Sequence, residues 1–325
     1  MCIQSVIGDS MKRMFFSVDA HGSNYVWRKW VNVPEFHKAD ILLLCGDLTG
    51  KALIPIIKQN DGTWTSHYFG RKWTFRSEDE IKDYERRIGD SGAYAFRTTP
   101  EEVKAMQEDK KLVDEKIFEA IGNRIREWMD FLIEKVDTKK VQVMAMPGND
   151  DDFLVDEIIK SYEDKGVIWP LGKVVEIAGF ETISYEYVNP SPWNTPREKK
   201  EKDLKKDLEK LFSKVSDPAK TILNTHAPPY NTRLDFAPKL KNLKPVIVAG
   251  TVEMEHVGSK AVREIIEEYQ PMIGLHGHIH ESYAKDKIGN TPVVNPGSEY
   301  MEGILRGFII EFSDEGVENY YKVEG

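Results

Sequence analysis

The chain has 325 residues, enough to bury a sizeable core in one large domain or two ordinary ones. Hydrophobic residues make up 40% and charged residues 30%, the balance of a globular protein with a heavily charged surface. A formal charge of −9 argues against a general nucleic-acid-binding face, which would carry clustered Lys and Arg, and the longest apolar runs, Ala39 to Cys45 and Val141 to Met146, are too brief to cross a bilayer. Met1 to Ser5 lack a basic segment followed by an apolar stretch, so no signal peptide is expected; Met11 is an alternative start. Cys2 and Cys45 sit in different settings and imply no disulfide framework. A cytoplasmic protein is the expectation.

The first predicted strand is Lys12 to Val18, running into Asp19. Tyr25, Trp27, Trp30 and Val31 suit a short helix after it, and Ile41 to Cys45 is a continuous apolar run of the kind buried on both faces of a sheet. Strand, helix, strand is the alternation of an α/β sheet. From Lys51 to about Asp137 the pattern changes. Thr63 to Thr65 and Trp73 to Phe75, with Gly70 between them, predict a hairpin. Ser77 with Glu80 predicts a capped helix, and Thr99, Pro100 and Glu102 repeat that signal. The apolar stripe Val103, Met106, Val113, Ile117, Ile121, Ile125, Trp128 and Leu132 predicts one helix reaching Val136, with a bend at Gly122. Residues 12–325 are therefore expected to form a single domain, with 51–137 as a hairpin-and-helix insertion packing near the site.

Val141 to Met146 is another buried strand, and shorter ones follow around Val174 and Ile183. Thr195, Pro196 and Glu198 predict a highly charged helix reaching about Val215, its Lys and Glu run being a solvated face. Thr221 to Leu223 and Val246 to Val248 are short strands, Gly258 to Tyr269 an amphipathic helix, and Met272 to Leu275 a strand. Pro292 to Val294, Gly307 to Phe312 and Val317 to Tyr321 close the chain.

Five short segments, each at the end of a predicted strand, carry metal-ligand chemistry: Asp19-Ala20-His21, Gly46-Asp47, Gly148-Asn149, Thr225-His226 and Gly277-His278-Ile279-His280. Alone, the first two are weak signals and the last is stronger; the ordered set carries the argument. Two Asp, one Asn and four His are about what two adjacent divalent cations need, and phosphate-ester hydrolysis is the usual work of such a pair. Aspartate oxygen with neutral imidazole suits manganese first, with iron, zinc, cobalt or nickel as alternatives, over calcium.

This order and content resembles the calcineurin-like metallophosphoesterase family, in its small bacterial and archaeal cytoplasmic branch. Gly258-Ser259, Glu281-Ser282 and Val294-Asn295-Pro296-Gly297-Ser298 add local likeness. The resemblance implies a four-layer α/β/β/α sandwich with two mixed β-sheets. It implies that Asp19, His21 and His280 hold one metal and Asn149, His226 and His278 the other, with Asp47 bridging. One departure is Asp150, which stands where the family usually has the His that protonates the leaving group. An ordinary carboxyl group is ionised at neutral pH and a poor acid. Asp150 either hydrogen-bonds a ligand histidine or disfavours alkyl monoesters.

The expected function is a dinuclear-metal phosphohydrolase, a phosphodiesterase before a phosphomonoesterase or phosphoprotein phosphatase, in which a metal-bridging hydroxide attacks phosphorus. Asn149, Asp150 and His226 are its candidate catalytic residues, and a small phosphate ester, a nucleotide among the candidates, its substrate. A non-catalytic metal-binding interaction module is the competing class. His276 is read as supporting a ligand from behind, and His256 as a surface or packing residue within reach of substrate. Arg71, Arg97, Arg197 and Arg233 are candidates to grip phosphate oxygens.

Overall fold

The computed structural model describes residues 11–325. Cys2 and the question of the start at Met11 lie outside or at the edge of that range. Alternation along the first strands sets the layering. Met14 and Phe16 of strand Lys12–Ser17 point one way and Phe15 the other; Ile41, Leu43 and Cys45 of Ile41–Cys45 likewise oppose Leu42 and Leu44. All of these are buried, so both faces of the sheet must be covered.

Two six-stranded sheets result. In the first the spatial order is Gly316–Glu324, Arg306–Ser313, Lys12–Ser17, Ile41–Cys45, Gln142–Met146, Val167–Ile168; the last four run parallel and Arg306–Ser313 is antiparallel to Lys12–Ser17. In the second the order is Ala284–Ile288, Thr291–Asn295, Ile273–Leu275, Ile222–Thr225, Phe180–Tyr185, Val174–Ile177, with the four central strands parallel and both edges antiparallel. Met14, Phe16, Leu43 and Met144 of the first sheet share one core with Ile222, Ile273, Leu275 and Val294 of the second, so the sheets stack face to face.

Helices α1 (Asn24–His37), α4 (Lys110–Lys135) and α5 (Leu154–Lys160) cover the outer face of the first sheet through Trp27, Trp30, Trp128, Leu132 and Ile159. Helices α6 (Glu201–Phe212) and α7 (Lys260–Tyr269) cover the second through Leu204, Leu208, Val262 and Ile265. These layers are the expected α/β/β/α sandwich.

Residues 51–137 contain more strand than predicted. The Trp64–Tyr68 and Arg71–Phe75 hairpin is present, but it joins Leu53–Lys58 and Tyr94–Thr98 in a four-stranded sheet covered by α2 (Glu78–Asp90). Leu53–Lys58 and Tyr94–Thr98 pair in parallel although far apart in sequence, a pairing that neither short run announces. Both predicted capping boxes form, at Ser77 and Thr99. The single long helix does not. The chain leaves helical geometry at Asp109, ending α3 (Pro100–Glu108), and Asp109 then caps α4 by accepting from Lys111 N. Gly122 does not bend α4, which runs unbroken; a Cβ there would meet Ile158 Cδ1 of α5 at 3.6 Å, an ordinary contact.

The helix expected from Thr195 begins only at Glu201. Glu198 accepts from Ser191 N and Oγ as well as from Thr195 N and Oγ1, closing a loop where a helix would start. Arg197 is fully buried against Asp156 and the Asp151 and Asp152 carbonyls, pulling the chain inward.

Candidate metal centre

Parallel strands bring their C-terminal ends to one rim, and all five ligand segments follow such ends closely, among them Asp47 after Ile41–Cys45, Asn149 after Gln142–Met146, His226 after Ile222–Thr225 and His278 after Ile273–Leu275. Asp19 and His21 follow Lys12–Ser17 on the same rim. Backbone bonds stitch the loops together, from Asp19 N to Gly46 O, His21 N to Asp47 O, Gly46 N to Met146 O and Gly277 N to His226 O.

The glycines before the ligands have a steric reason. A Cβ on Gly46 would lie 1.9 Å from His226 Nδ1, and one on Gly148 would lie 2.3 Å from Asp47 N and Oδ1. The ligand segments pack too closely to admit a side chain. Asp19, His21, Asp47 and His278 also adopt positive φ, between 40° and 69°, a conformation that costs energy in a non-glycine residue and survives where surroundings impose it.

Six of the seven predicted ligand residues fall in overlapping donor groups at this rim, and the seventh, Asn149, lines the same cleft. Donor atoms of Asp19, His21 and His280 lie within 4.8 Å of one another, as do those of Asp47, His226 and His278, and those of His21, Asp47 and Asp150. Asp47 Oδ2 sits 3.3 Å from His226 Nε2 and 3.7 Å from His21 Nε2, so its carboxylate faces both clusters. His226 Nε2 lies 3.7 Å from Asp19 Oδ1, and His21 Nε2 lies 2.9 Å from His280 Nε2.

The buried polar atoms test whether cations fit. Asp19 Oδ1, Asn149 Oδ1 and both ring nitrogens of His226 have no hydrogen-bond partner, a costly arrangement unless another group satisfies them. Without cations the charge balance falls on His226. Burial opposes its charge, yet Asp47 and Asp19 push its pKa up to about 9. Burial also raises Asp19 well above the usual carboxylate range, with Asp47 adding to it against the pull of His226. Asp47 goes the other way: against burial, His226 and His21 hold it well below that range. Burial lowers His21 and His278 to about 3 and lowers His280 as well, leaving neutral imidazoles ready to donate lone pairs. The residues fit two divalent cations held by oxygen and imidazole nitrogen.

Asp150 does not bond a ligand histidine. Its amide donates to Asp47 Oδ1, one carboxylate oxygen accepts from Asn149 Nδ2 at 3.1 Å, and the other pairs with Lys51 Nζ at 2.5 Å. Burial and the Asp47 charge push it up to about 6 against Lys51. Sequence reasoning misses Lys51, whose only signal is its place four residues beyond Asp47. It also misses Asp151, which accepts from Gly148 N, Leu48 N and both Thr49 donors and so ties two ligand loops together. That acid is visible as the last letter of Gly148-Asn149-Asp150-Asp151. Thr195 reads in the sequence only as a helix start, but its Oγ1 accepts from Asn149 Nδ2. His276 bonds Thr225 Oγ1 and the Ala227 carbonyl, bracing the loop that carries His226. His256 lines the cleft and bonds Asp235. Among the described residues, none of Arg71, Arg97, Arg197 and Arg233 lines the cleft; Arg97 is spent on Glu78 and Glu85, and Arg197 on Asp156.

The centre opens into a cleft of about 1100 Å³, walled by residues 50–52 and 91–93, the Tyr68-Phe69 turn, the 189–193 loop and the 237–245 arm. Among the described residues no helix is long and apolar enough to cross a membrane.

Comparison with known proteins agrees with this geometry. Residues 109–282 match the calcineurin-like phosphoesterase family, a span that includes Asn149, His226, His278 and His280 and leaves Asp19, His21 and Asp47 to be joined by the fold. Over 161 residues the chain is 35% identical to the protein MJ1162 of Methanocaldococcus jannaschii, covering 48% of this chain and 64% of that one; it thus spans less than two thirds of that relative's length. TT1561 of Thermus thermophilus has the same fold at 12% identity, with a TM-score of 0.53 over 94% of this chain and 99% of that one. Another crystal structure aligns with a TM-score of 0.57 at 15% identity, over 97% and 99% of the two chains. Because the matched span exceeds half of its length, this chain belongs to the calcineurin-like phosphoesterase family, whose members are metal-dependent hydrolases of phosphate esters.

Proposed function

We propose that this chain is a two-metal phosphohydrolase that prefers phosphodiesters to monoesters. The observation that carries the reading is the convergence of two three-residue donor groups with the Asp47 carboxylate facing both. Asp19, His21 and His280 would hold one cation, and Asn149, His226 and His278 the other, with Asp47 shared. Bound there, two divalent cations, manganese first among the candidates, would acidify a water molecule and neutralise charge on the phosphoryl oxygens. Asn149 and His226 orient the phosphoryl group from one side of the centre. Residues 51–137 act as an insertion that narrows the cleft.

The diester preference rests on Asp150. Its carboxylate stands beside the centre, where it repels a dianionic monoester more than a monoanionic diester, and Lys51 offsets only part of that charge. One observation favours the monoesterase alternative: burial and the Asp47 charge raise the Asp150 carboxyl, the direction a proton donor to a leaving group needs, against the opposing pull that bound cations would exert. The fully formed donor set speaks against a non-catalytic module.

The test is an assay with added manganese on bis-aryl and mono-aryl phosphates. The diester should turn over faster, and Asp47→Asn should lose about a thousandfold, the equivalent of about 4 kcal/mol in the barrier, while its circular dichroism stays native. Wild-type rates in Asp47→Asn would remove the shared-carboxylate role.

A further inference from the structure

Three apolar side chains reach solvent where packing gives them no reason to do so: Phe69 is 71% exposed, Trp193 57% and Leu243 53%. They come from three separate segments, the turn of the Trp64–Tyr68 hairpin, the loop before α6 and the arm before α7, yet all three line the same cleft. Phe69 and Leu243 each occupy a two-residue hairpin turn, Phe69-Gly70 and Asn242-Leu243, whose geometry requires positive φ at both positions and holds the apolar side chain out at the tip. Single exposed apolar residues are ordinary; three lining the one cleft that also holds the candidate metal ligands give its wall an apolar character.

The charges of the cleft point the same way. Away from the metal ligands, its cationic side chains among the described residues are Lys51, paired with Asp150, and Lys260, poised over the Tyr230 ring. Glu201, Glu255 and Glu281 also line it. A substrate carrying further phosphates would meet three carboxylates against the single ammonium of Lys260, and no guanidinium.

We infer that the cleft is a subsite for a bulky, uncharged, apolar or aromatic group, and that the substrate is a phosphate ester with a single charged phosphoryl group. Phe69, Trp193 and Leu243 clasp the group that does not leave. This assignment rests on the proposed phosphohydrolase activity and narrows its substrate class.

The experiment uses the full chain with manganese and three 4-nitrophenyl phosphodiesters that share a leaving group and differ in the other substituent: methyl, 1-naphthylmethyl and 2-phosphonoethyl. Burying the naphthyl ring should raise kcat/KM about tenfold or more over the methyl ester, and the added anion should lower it. Phe69→Ser, Trp193→Ser and Leu243→Ser should each shrink the naphthylmethyl-to-methyl ratio; these positions are exposed, so the fold does not depend on them. Equal rates for methyl and naphthylmethyl esters, a preference for the phosphonoethyl ester, or an unchanged ratio in all three variants would each overturn the assignment while leaving the hydrolase reading in place. No turnover of any of the three esters would instead overturn the phosphodiesterase reading, and the assignment with it.

Discussion

Asn149 owes its orientation to its neighbours. Its Nδ2 donates to Thr195 Oγ1 at 3.0 Å and to Asp150 Oδ1, which leaves Oδ1 buried, partnerless and turned to the centre. An amide so held presents its oxygen to a cation without paying for a flip, and partners of that kind commonly contribute 10- to 100-fold to metal affinity, on the order of the ligands' own positioning. Thr195→Val should therefore weaken manganese binding about tenfold in calorimetric titration, with Thr195→Ser restoring it. Equal affinity in all three proteins would show that Asn149 is positioned by its backbone alone.

At the scale of elements, Glu198 decides the shape of the 189–198 loop. Burial works against its ionisation, but donors from Ser191 and Thr195 outweigh it and hold the carboxyl below its ordinary value of 4.5. A depressed carboxyl group contributes stability above the unfolded value and loses it as pH falls through the folded one. The loop should stay protected at neutral pH and become accessible to proteolysis at more acidic pH than 4.5, while Glu198→Gln should be cleaved there already at neutral pH. Helix α4 offers a second element-scale test. At Gly122 an added Cβ meets only the end of the exposed Arg126 side chain closely, at 3.1 Å, which can move aside. Gly122→Ala should therefore stabilise the protein by about 0.5–1 kcal/mol in urea unfolding, the helix-interior cost of glycine. Destabilisation would mean that Arg126 is held where it stands.

For the whole molecule, the candidate metal centre lies where both sheets end, so its proposed ligands come from nearly the full length of the chain, from Asp19 to His280. Cations bound there would link the sheets and bind the folded state alone. A free concentration one hundred times Kd would stabilise the fold by about 2.7 kcal/mol per cation, a rise of about 4 °C in Tm for each in a chain of this size. Chelator treatment should lower Tm by that amount and re-addition of manganese restore it, measured by calorimetry. The same cations should leave the Tm of Asp47→Asn less affected.

Much of this was legible in the sequence because it is local. A buried strand announces itself by an apolar run, as Ile41–Cys45 and Gln142–Met146 do, and a ligand placed just past its end reaches the rim of the sheet whatever the rest of the chain does. The glycines of Gly46-Asp47, Gly148-Asn149 and Gly277-His278 are visible in the sequence, but their reason is tertiary, since each clears space for a segment from far along the chain. Capping boxes at Ser77 and Thr99 involve three-residue spacings and form as expected. What only the tertiary structure decided depends on pairings across long separations: Leu53–Lys58 with Tyr94–Thr98, Lys51 with Asp150, Asn149 with Thr195, and the meeting of Phe69, Trp193 and Leu243 in one cleft. Hydrophobic periodicity tells a residue which way to face but not whom it will meet, and the same Thr-x-x-Glu pattern opens a helix at Thr99 and closes a loop at Thr195 because a buried Arg197 lies between.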